Sequence, residues 1–268
     1  MLLGFVTGAY GVMVGAGGGF ILSPALLIFF GLEPQVVAGT ALALVAVNSV
    51  SGSQAYRRLG LIDYRSALLF AAAAIPGAVL APFVLANVAG STFRMLLGLL
   101  LIGLAVQMVI SMGVPESSSK NPRQNGGAFV GSRKINEVNG DVYQYTFNEA
   151  YASFFNLVLG FISSFFGTGG GFLRTPILVY AFSFPVRIAV ATSVLTMAFY
   201  TTAGALTHAG LGNVDWYPTF VWAGIGLVGG AQVGARLASR VGGPWILRLL
   251  LVVVLALGIK LLIDGVRG

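Results

Sequence analysis

Gly15-Ala16-Gly17-Gly18-Gly19-Phe20 returns 152 positions later as Gly167-Thr168-Gly169-Gly170-Gly171-Phe172, and each copy is followed by a proline, Pro24 and Pro176. Both copies sit inside strongly apolar sequence. A run of glycines breaks a helix, because only proline is a poorer helix former. Broken backbone at membrane depth is tolerated only where protein buries it or where it lines a polar cavity. Two such segments in matching positions form the pattern of a paired transport site.

Working outward, the composition identifies the solvent. Of 268 residues, 57% are hydrophobic and 9% charged, with a mean hydropathy of +0.90. The stretches 66–88 and 93–112 carry no charge apart from Arg94. This is an all-α polytopic membrane protein, and the short alternating segments of a transmembrane barrel are missing. Fifteen Lys plus Arg against eight Asp plus Glu give a formal charge of +7, which in such a chain is a topology signal and no indication of nucleic-acid binding. Zero cysteines exclude disulfides, thiolate nucleophiles and thiolate metal sites. The first apolar segment has no small-residue cleavage site, so it reads as mature protein. Neither catalysis, cofactor nor metal is expected, and a homo-oligomer is left open.

The 152-residue offset also aligns Thr40 with Thr192, Gly52 with Gly204, Gly60 with Gly212, Asp63 with Asp215 and Gly77 with Gly229; a slip of two pairs Arg94 with Arg248. The chain therefore reads as an internal duplication, with one repeat over 1–112 and the other over 148–268. Apolar segments are expected at 2–14, 19–31, 35–56, 66–88 and 93–112, and at 149–166, 171–183, 186–207, 217–239 and 245–264. Each half thus has a short piece on either side of its glycines, then three transmembrane helices. The pair around the glycines forms either a re-entrant hairpin or two tilted crossings. Residues 113–147 form a polar linker whose second part, 134–147, alternates around Asn139-Gly140, a hairpin signal. The simpler reading of the linker is a solvated connection without a role in transport.

Basic residues set the orientation. Arg57, Arg58 and Arg65 flank one loop and the linker holds Lys120, Arg123, Arg133 and Lys134, so both are expected on the cytoplasmic side, with the chain ends outside. In the second half the loop near 208–216 has no Lys or Arg, whereas the next is flanked by Arg236, Arg240 and Arg248. Opposite charge bias in corresponding loops predicts inverted repeats.

The site chemistry follows from the helix starts. Amides at Phe20 and Phe172 would point back into the glycine segments, and free N–H groups at the positive end of a helix suit an oxyanion. Close packing of small residues is the competing explanation for the glycines. Thr40, Asn48, Ser49 and Ser51 lie on the third segment of the first half, and Thr192, Ser193, Thr196 and Tyr200 on that of the second. Thr192, Thr196 and Tyr200 share a face at four-residue spacing. For a single Ser or Thr, back-bonding to the preceding turn is the commoner fate, whereas a buried amide such as Asn48 needs several partners. Arg174 stands where the first half has Leu22; a guanidinium at membrane depth is costly and adds positive charge to an anion site, unless it snorkels to an interface or pairs with the linker. His208, the single histidine, aligns with Tyr56 and is a candidate pH-sensitive gate or a plain interfacial residue. Carboxylates fall near segment ends, as anion transport permits and a carboxylate proton relay would not.

The doubled glycine motif with its trailing proline, in this duplicated hydrophobic layout, resembles the TauE/SafE family of membrane transporters, also called the sulfite exporter family. The resemblance covers both halves; the short run before Gly15 and the long linker depart from it. It implies a carrier of sulfite, sulfonates or related small anions in the prokaryotic plasma membrane. Transferring the motif marks Gly17, Gly18, Gly19, Pro24, Gly169, Gly170, Gly171 and Pro176 as the site framework. The expected function is secondary transport of a small sulfur-containing oxyanion by alternating access. An anion channel, or a carrier of another small organic acid, would use the same cage. A Ser–His208 hydrolase lacks a Gly-x-Ser-x-Gly element and a supporting carboxylate. Replacing Gly18 or Gly170 with Leu is expected to abolish flux while leaving folding intact.

Overall fold

The computed structural model describes residues 1–112, 130–136, 142–238 and 244–267. The first half holds α1 (Leu2–Val14), α2 (Gly19–Phe29), α3 (Pro34–Leu59), α4 (Tyr64–Leu85) and α5 (Gly90–Met112). A hairpin of β1 (Val130–Asn136) and β2 (Val142–Asn148) follows. The second half holds α6 (Glu149–Phe166), α7 (Gly171–Pro176), α8 (Val186–Gly210), α9 (Val221–Ala238) and α10 (Pro244–Arg267). A π-helical turn, Ile177–Ala181, prolongs α7, and another, Trp216–Phe220, leads into α9. Lys120, Arg123, Asn139, Gly140 and Arg240 lie outside the described residues.

Among the described residues, six helices are long and apolar enough to cross a membrane: α3, α4, α5, α6, α8 and the stretch Trp216–Leu237. The 18 residues of α6 reach about 27 Å at 1.5 Å per residue, close to a hydrocarbon core of about 30 Å. It is thus a full-length span, whereas its counterpart α1 has 13 residues. Local chemistry accounts for most shifted boundaries. Helix α3 runs past the expected end at 56 because its stop is Gly60, in the left-handed region at φ 71°, with Arg57 and Arg58 on the last turn against the dipole. Helix α4 starts two residues early because the Asp63 side chain caps it, accepting from the Ser66 amide at 3.0 Å.

Burial separates the helices into two classes. In the most apolar window of α3, 83% of residues are buried, and 78% in that of α8, against 33–44% for the other four spans. Helices α3 and α8 therefore form the centre, and the others present apolar faces outward. The packing crosses between halves: α1 lies on α9 and α6 on α4, α3 lies on α9 and α8 on α4, while α3 meets α8 and α5 meets α10. Each pairing thus recurs with the halves exchanged. Small residues permit the α1–α9 and α4–α6 contacts: a Cβ at Gly8 would lie 2.8 Å from the Leu227 carbonyl, and one at Gly77 would run into that of Leu157.

The hairpin is no solvated connection. Its strands pair antiparallel from Val130↔Asn148 to Asn136↔Val142. Tyr145 and Phe147 are buried against Phe70 and Phe184, with the Tyr145 and Phe184 rings 4.4 Å apart. The apolar side of the alternating sequence docks on α4 and on the segment after α7. Strand β2 runs directly into α6, where Asn148 accepts from the amides of Ala150 and Tyr151 at 3.0 and 3.2 Å.

Candidate functional site

The two glycine segments meet at the centre of the molecule. Gly15 and Gly167 end α1 and α6 with φ 73° and 68°, and Gly18 and Gly170 precede α2 and α7 with φ 82° and 61°, a region that only glycine occupies without strain. A Cβ at Gly19 would lie 2.5 Å from the Gly167 carbonyl, and one at Gly171 would run into the Gly15 carbonyl. Gly17 and Gly169 both face Val45, and Gly17 also faces Met197, the residue equivalent to Val45. Phe20 and Phe172, the first side chains after the glycines, touch with centroids 5.7 Å apart. The amides of Gly19, Phe20, Gly171 and Phe172 stand at helix starts, where no intrahelical acceptor exists. A Cβ at Gly18 would sit 2.5 Å from the Thr7 carbonyl. The expectation that Gly18→Leu leaves folding intact is therefore overturned, because backbone occupies the space that the side chain needs.

The polar residues of α3 and α8 are buried around this centre, and their hydrogen bonds also come in exchanged pairs. Asn48 donates to the Gly17 carbonyl at 3.0 Å; Tyr200, its equivalent, donates to the Gly169 carbonyl. Thr192 accepts from the Asp63 amide at 3.2 Å, and Thr40 from the Asp215 amide at 2.8 Å. His208 Nε2 donates to the Ser164 carbonyl at 3.1 Å, as the Tyr56 hydroxyl does to the Val12 carbonyl at 2.9 Å. His208 is fully buried, in the last turn of α8. Thr196 donates to Thr192 at 2.8 Å, one turn back on its own helix, with the Ala67 carbonyl also at 3.3 Å. Its hydroxyl proton is committed to backbone.

Arg174 breaks the pairing. Its side chain is 0% exposed; Nε donates to Asn156 Oδ1 at 2.6 Å, Nη1 to the Tyr200 hydroxyl at 3.3 Å, and the guanidinium lies 4.7 Å from the Tyr200 ring centroid. Nη2 has no hydrogen-bond partner, and no carboxylate pairs with the guanidinium among the described residues. Neither snorkelling nor pairing with the hairpin describes its position. The hydroxyls of Ser163 and Thr168 and Asn48 Oδ1 are also buried without partners. Ser163 and Tyr200 both border Gly170, which places them at the same helix start as Arg174. The arrangement offers donors and one positive charge in a place closed to water.

Sequence reading missed two groups of residues. Asn156 holds the Arg174 side chain, and no spacing marks that contact. The second group anchors the hairpin: Arg133 lies 3.4 Å from Asp63, pairs with Glu149, donates to Ser66 Oγ at 3.3 Å and covers the Phe147 ring at 5.5 Å. The Tyr145 hydroxyl donates to Asp63 at 2.8 Å. Burial, and then the Asp63 carboxylate, push that phenol far above its ordinary range, so it stays protonated. Since the Asp63 amide is bound by Thr192, the hairpin reaches the site's periphery on one side.

Comparison with known proteins identifies a family. The family model for the sulfite exporter TauE/SafE matches residues 1–261. The chain is 26% identical to the probable membrane transporter protein YunE of Bacillus subtilis, covering 99% of this chain and 97% of that one. It is 29% identical to a probable membrane transporter protein of Xylella fastidiosa, over 89% of this chain and 82% of the other. A probable membrane transporter protein of Methanocaldococcus jannaschii is 25% identical, over 78% and 70% of the two chains. No solved structure matches the chain. With a family match across nearly its whole length and apolar helices of spanning length, the chain is an integral membrane transporter of the prokaryotic plasma membrane and belongs to the sulfite exporter TauE/SafE family.

Proposed function

We propose that the protein is a secondary transporter of a small sulfur-containing oxyanion, such as sulfite or an organosulfonate, and that two inverted repeats alternate access around the glycine segments. Arg174 carries this reading. A guanidinium placed at the centre of a bilayer costs about 2.5–3.5 kcal/mol on insertion scales, and a bound anion supplies the missing countercharge. The unpartnered Nη2, the Ser163 and Thr168 hydroxyls and the amides at the helix starts are donors, the complement of an acceptor-only oxyanion. Gly17, Gly18, Gly19, Gly169, Gly170 and Gly171 frame the site, and Phe20 and Phe172 close it. Asn48 and Tyr200 each brace the glycine segment of their own half, and Thr40 and Thr192 bond across between the halves. Opposite loop charges and the exchanged packing pairs support the inverted relation.

Flux of labelled sulfite into proteoliposomes tests the proposal. Saturable uptake with counterflow, lost in Arg174→Gln and partly kept in Arg174→Lys, is the expected result. Single-channel currents without counterflow would replace the carrier by a channel, and equal flux in Arg174→Gln would remove the site.

A further inference from the structure

Away from the glycine segments, the ends of α2, α5 and α10 enclose a shallow cavity of about 300 Å³. Arg94 of α5 lines it together with Lys260, Asp264 and Arg267 of α10. The opposite wall is Leu27 and Ile28 of α2. Gly265 makes the arrangement possible: a Cβ there would lie 2.8 Å from the Met95 amide nitrogen, so α10 presses against the first turns of α5 and brings the basic groups of both helices to one cavity.

Three cations face a single carboxylate, leaving two positive charges in excess. Among the described residues, no ion pair joins Arg94, Lys260 or Arg267 to Asp264 or to any other carboxylate. Like charges gathered in this way are stabilised by an anion between them. The surroundings select its kind. Phe29 and Phe30 at the end of α2, Met95 on α5, and Ile259, Ile263 and Val266 on α10 are all exposed. In a membrane protein such apolar residues face lipid, and Lys and Arg side chains near helix ends reach to the level of the headgroups.

We propose that this cavity binds the phosphate of an anionic phospholipid, with Arg94, Lys260 and Arg267 on the phosphate and the acyl chains along the exposed apolar rim. Asp264 is placed to accept from headgroup hydroxyls. Since α2 is the arm that follows the first glycine segment, the lipid ties its far end to α5 and α10. The site is separate from the one around Arg174, and its test does not depend on the transported anion.

The test is a titration of the purified full chain in detergent with a fluorescent phosphatidylglycerol, run beside phosphatidylcholine and inorganic phosphate. Wild type is expected to bind phosphatidylglycerol well above phosphatidylcholine, with inorganic phosphate a poor competitor. At about fivefold per charge, Arg94→Gln/Lys260→Gln/Arg267→Gln weakens binding about a hundredfold. Arg57→Gln/Arg58→Gln leaves it unchanged. If the triple variant does not fold, Arg94→Lys/Arg267→Lys keeps the charge and is expected to bind within about twofold of wild type. Equal binding of the two lipids by wild type, an unchanged triple variant, or full competition by inorganic phosphate at equal concentration each overturns the proposal. The last result would identify a site for free anions.

Discussion

In the first half Asn48 reaches the Gly17 carbonyl; 152 positions on, Tyr200 reaches the Gly169 carbonyl but also takes the Arg174 guanidinium against its ring and its hydroxyl. Where the second half has Arg174 and Asn156, the first has Leu22 and Gly4. The crossed threonine bonds, the paired carbonyl contacts and the glycine approaches are shared by both halves; the charge belongs to one. Matching backbone approaches can therefore be kept by close packing while the side chains around them diverge. The hairpin adds a second difference, because it reaches Asp63 whereas the hydroxyl on the equivalent Asp215 comes from Thr219, at 2.5 Å.

The comparison breaks most sharply at Arg174. Arg174→Leu installs the first half's residue, and flux of labelled sulfite is expected to fall about a thousandfold, the loss of about 4 kcal/mol from a buried charge contact. A normal size-exclusion profile would show that the effect is not misfolding. Next comes the hairpin. Arg133 and Asp63 have side chains 9% and 4% exposed, so Arg133→Ala strands a buried carboxylate and is expected to destabilise the docked hairpin by about 3 kcal/mol, read as faster amide exchange in β2. The corresponding region near Asp215 should be unaffected.

Two further measurements sharpen what the halves share. Gly19→Ala and Gly171→Ala each press a methyl group on the opposite glycine segment and are expected to lower stability by about 1–3 kcal/mol, equally if the frame is symmetric, by thermal unfolding. Gly210→Ala, with open space around it, serves as the neutral reference. The smallest effect belongs to Thr40→Val and Thr192→Val, each removing one buried acceptor for about 1 kcal/mol. A large difference between these two would show that one crossing bond is coupled to the hairpin through Asp63.

The segments were legible because lipid-facing helices need unbroken apolar runs, and glycine at the left-handed stops is a local signal. The frame was partly legible: the 152-residue offset pairs Asn48 with Tyr200, but an amide and a phenol share no residue class, so only the common carbonyl contact reveals the equivalence. Arg174 stood out by its cost at depth. Its anchor Asn156 did not, because the two lie on opposite sides of a glycine turn and meet only once α6 and α7 are placed. Thr196 shows the opposite failure, since shared spacing with Thr192 and Tyr200 carries no information on which hydroxyl is spent on backbone. Polarity concealed the hairpin's role: a linker rich in charge reads as solvated, although the alternating aromatics of β2 were present.

Because β2 passes into α6 at Asn148 while Arg133 and Tyr145 hold Asp63 at the start of α4, the hairpin straps two spanning helices together. A tilt of α6 against α4 would load the Arg133–Asp63 and Tyr145–Asp63 contacts, so the hairpin registers relative movement of the two helices. The chain contains no cysteine, so a single thiol introduced at the exposed Gln144 would carry a fluorophore or spin label without background. Distances from that label to a second one at the end of α4 near Leu85 would follow relative helix movement in real time, independently of the transported substrate.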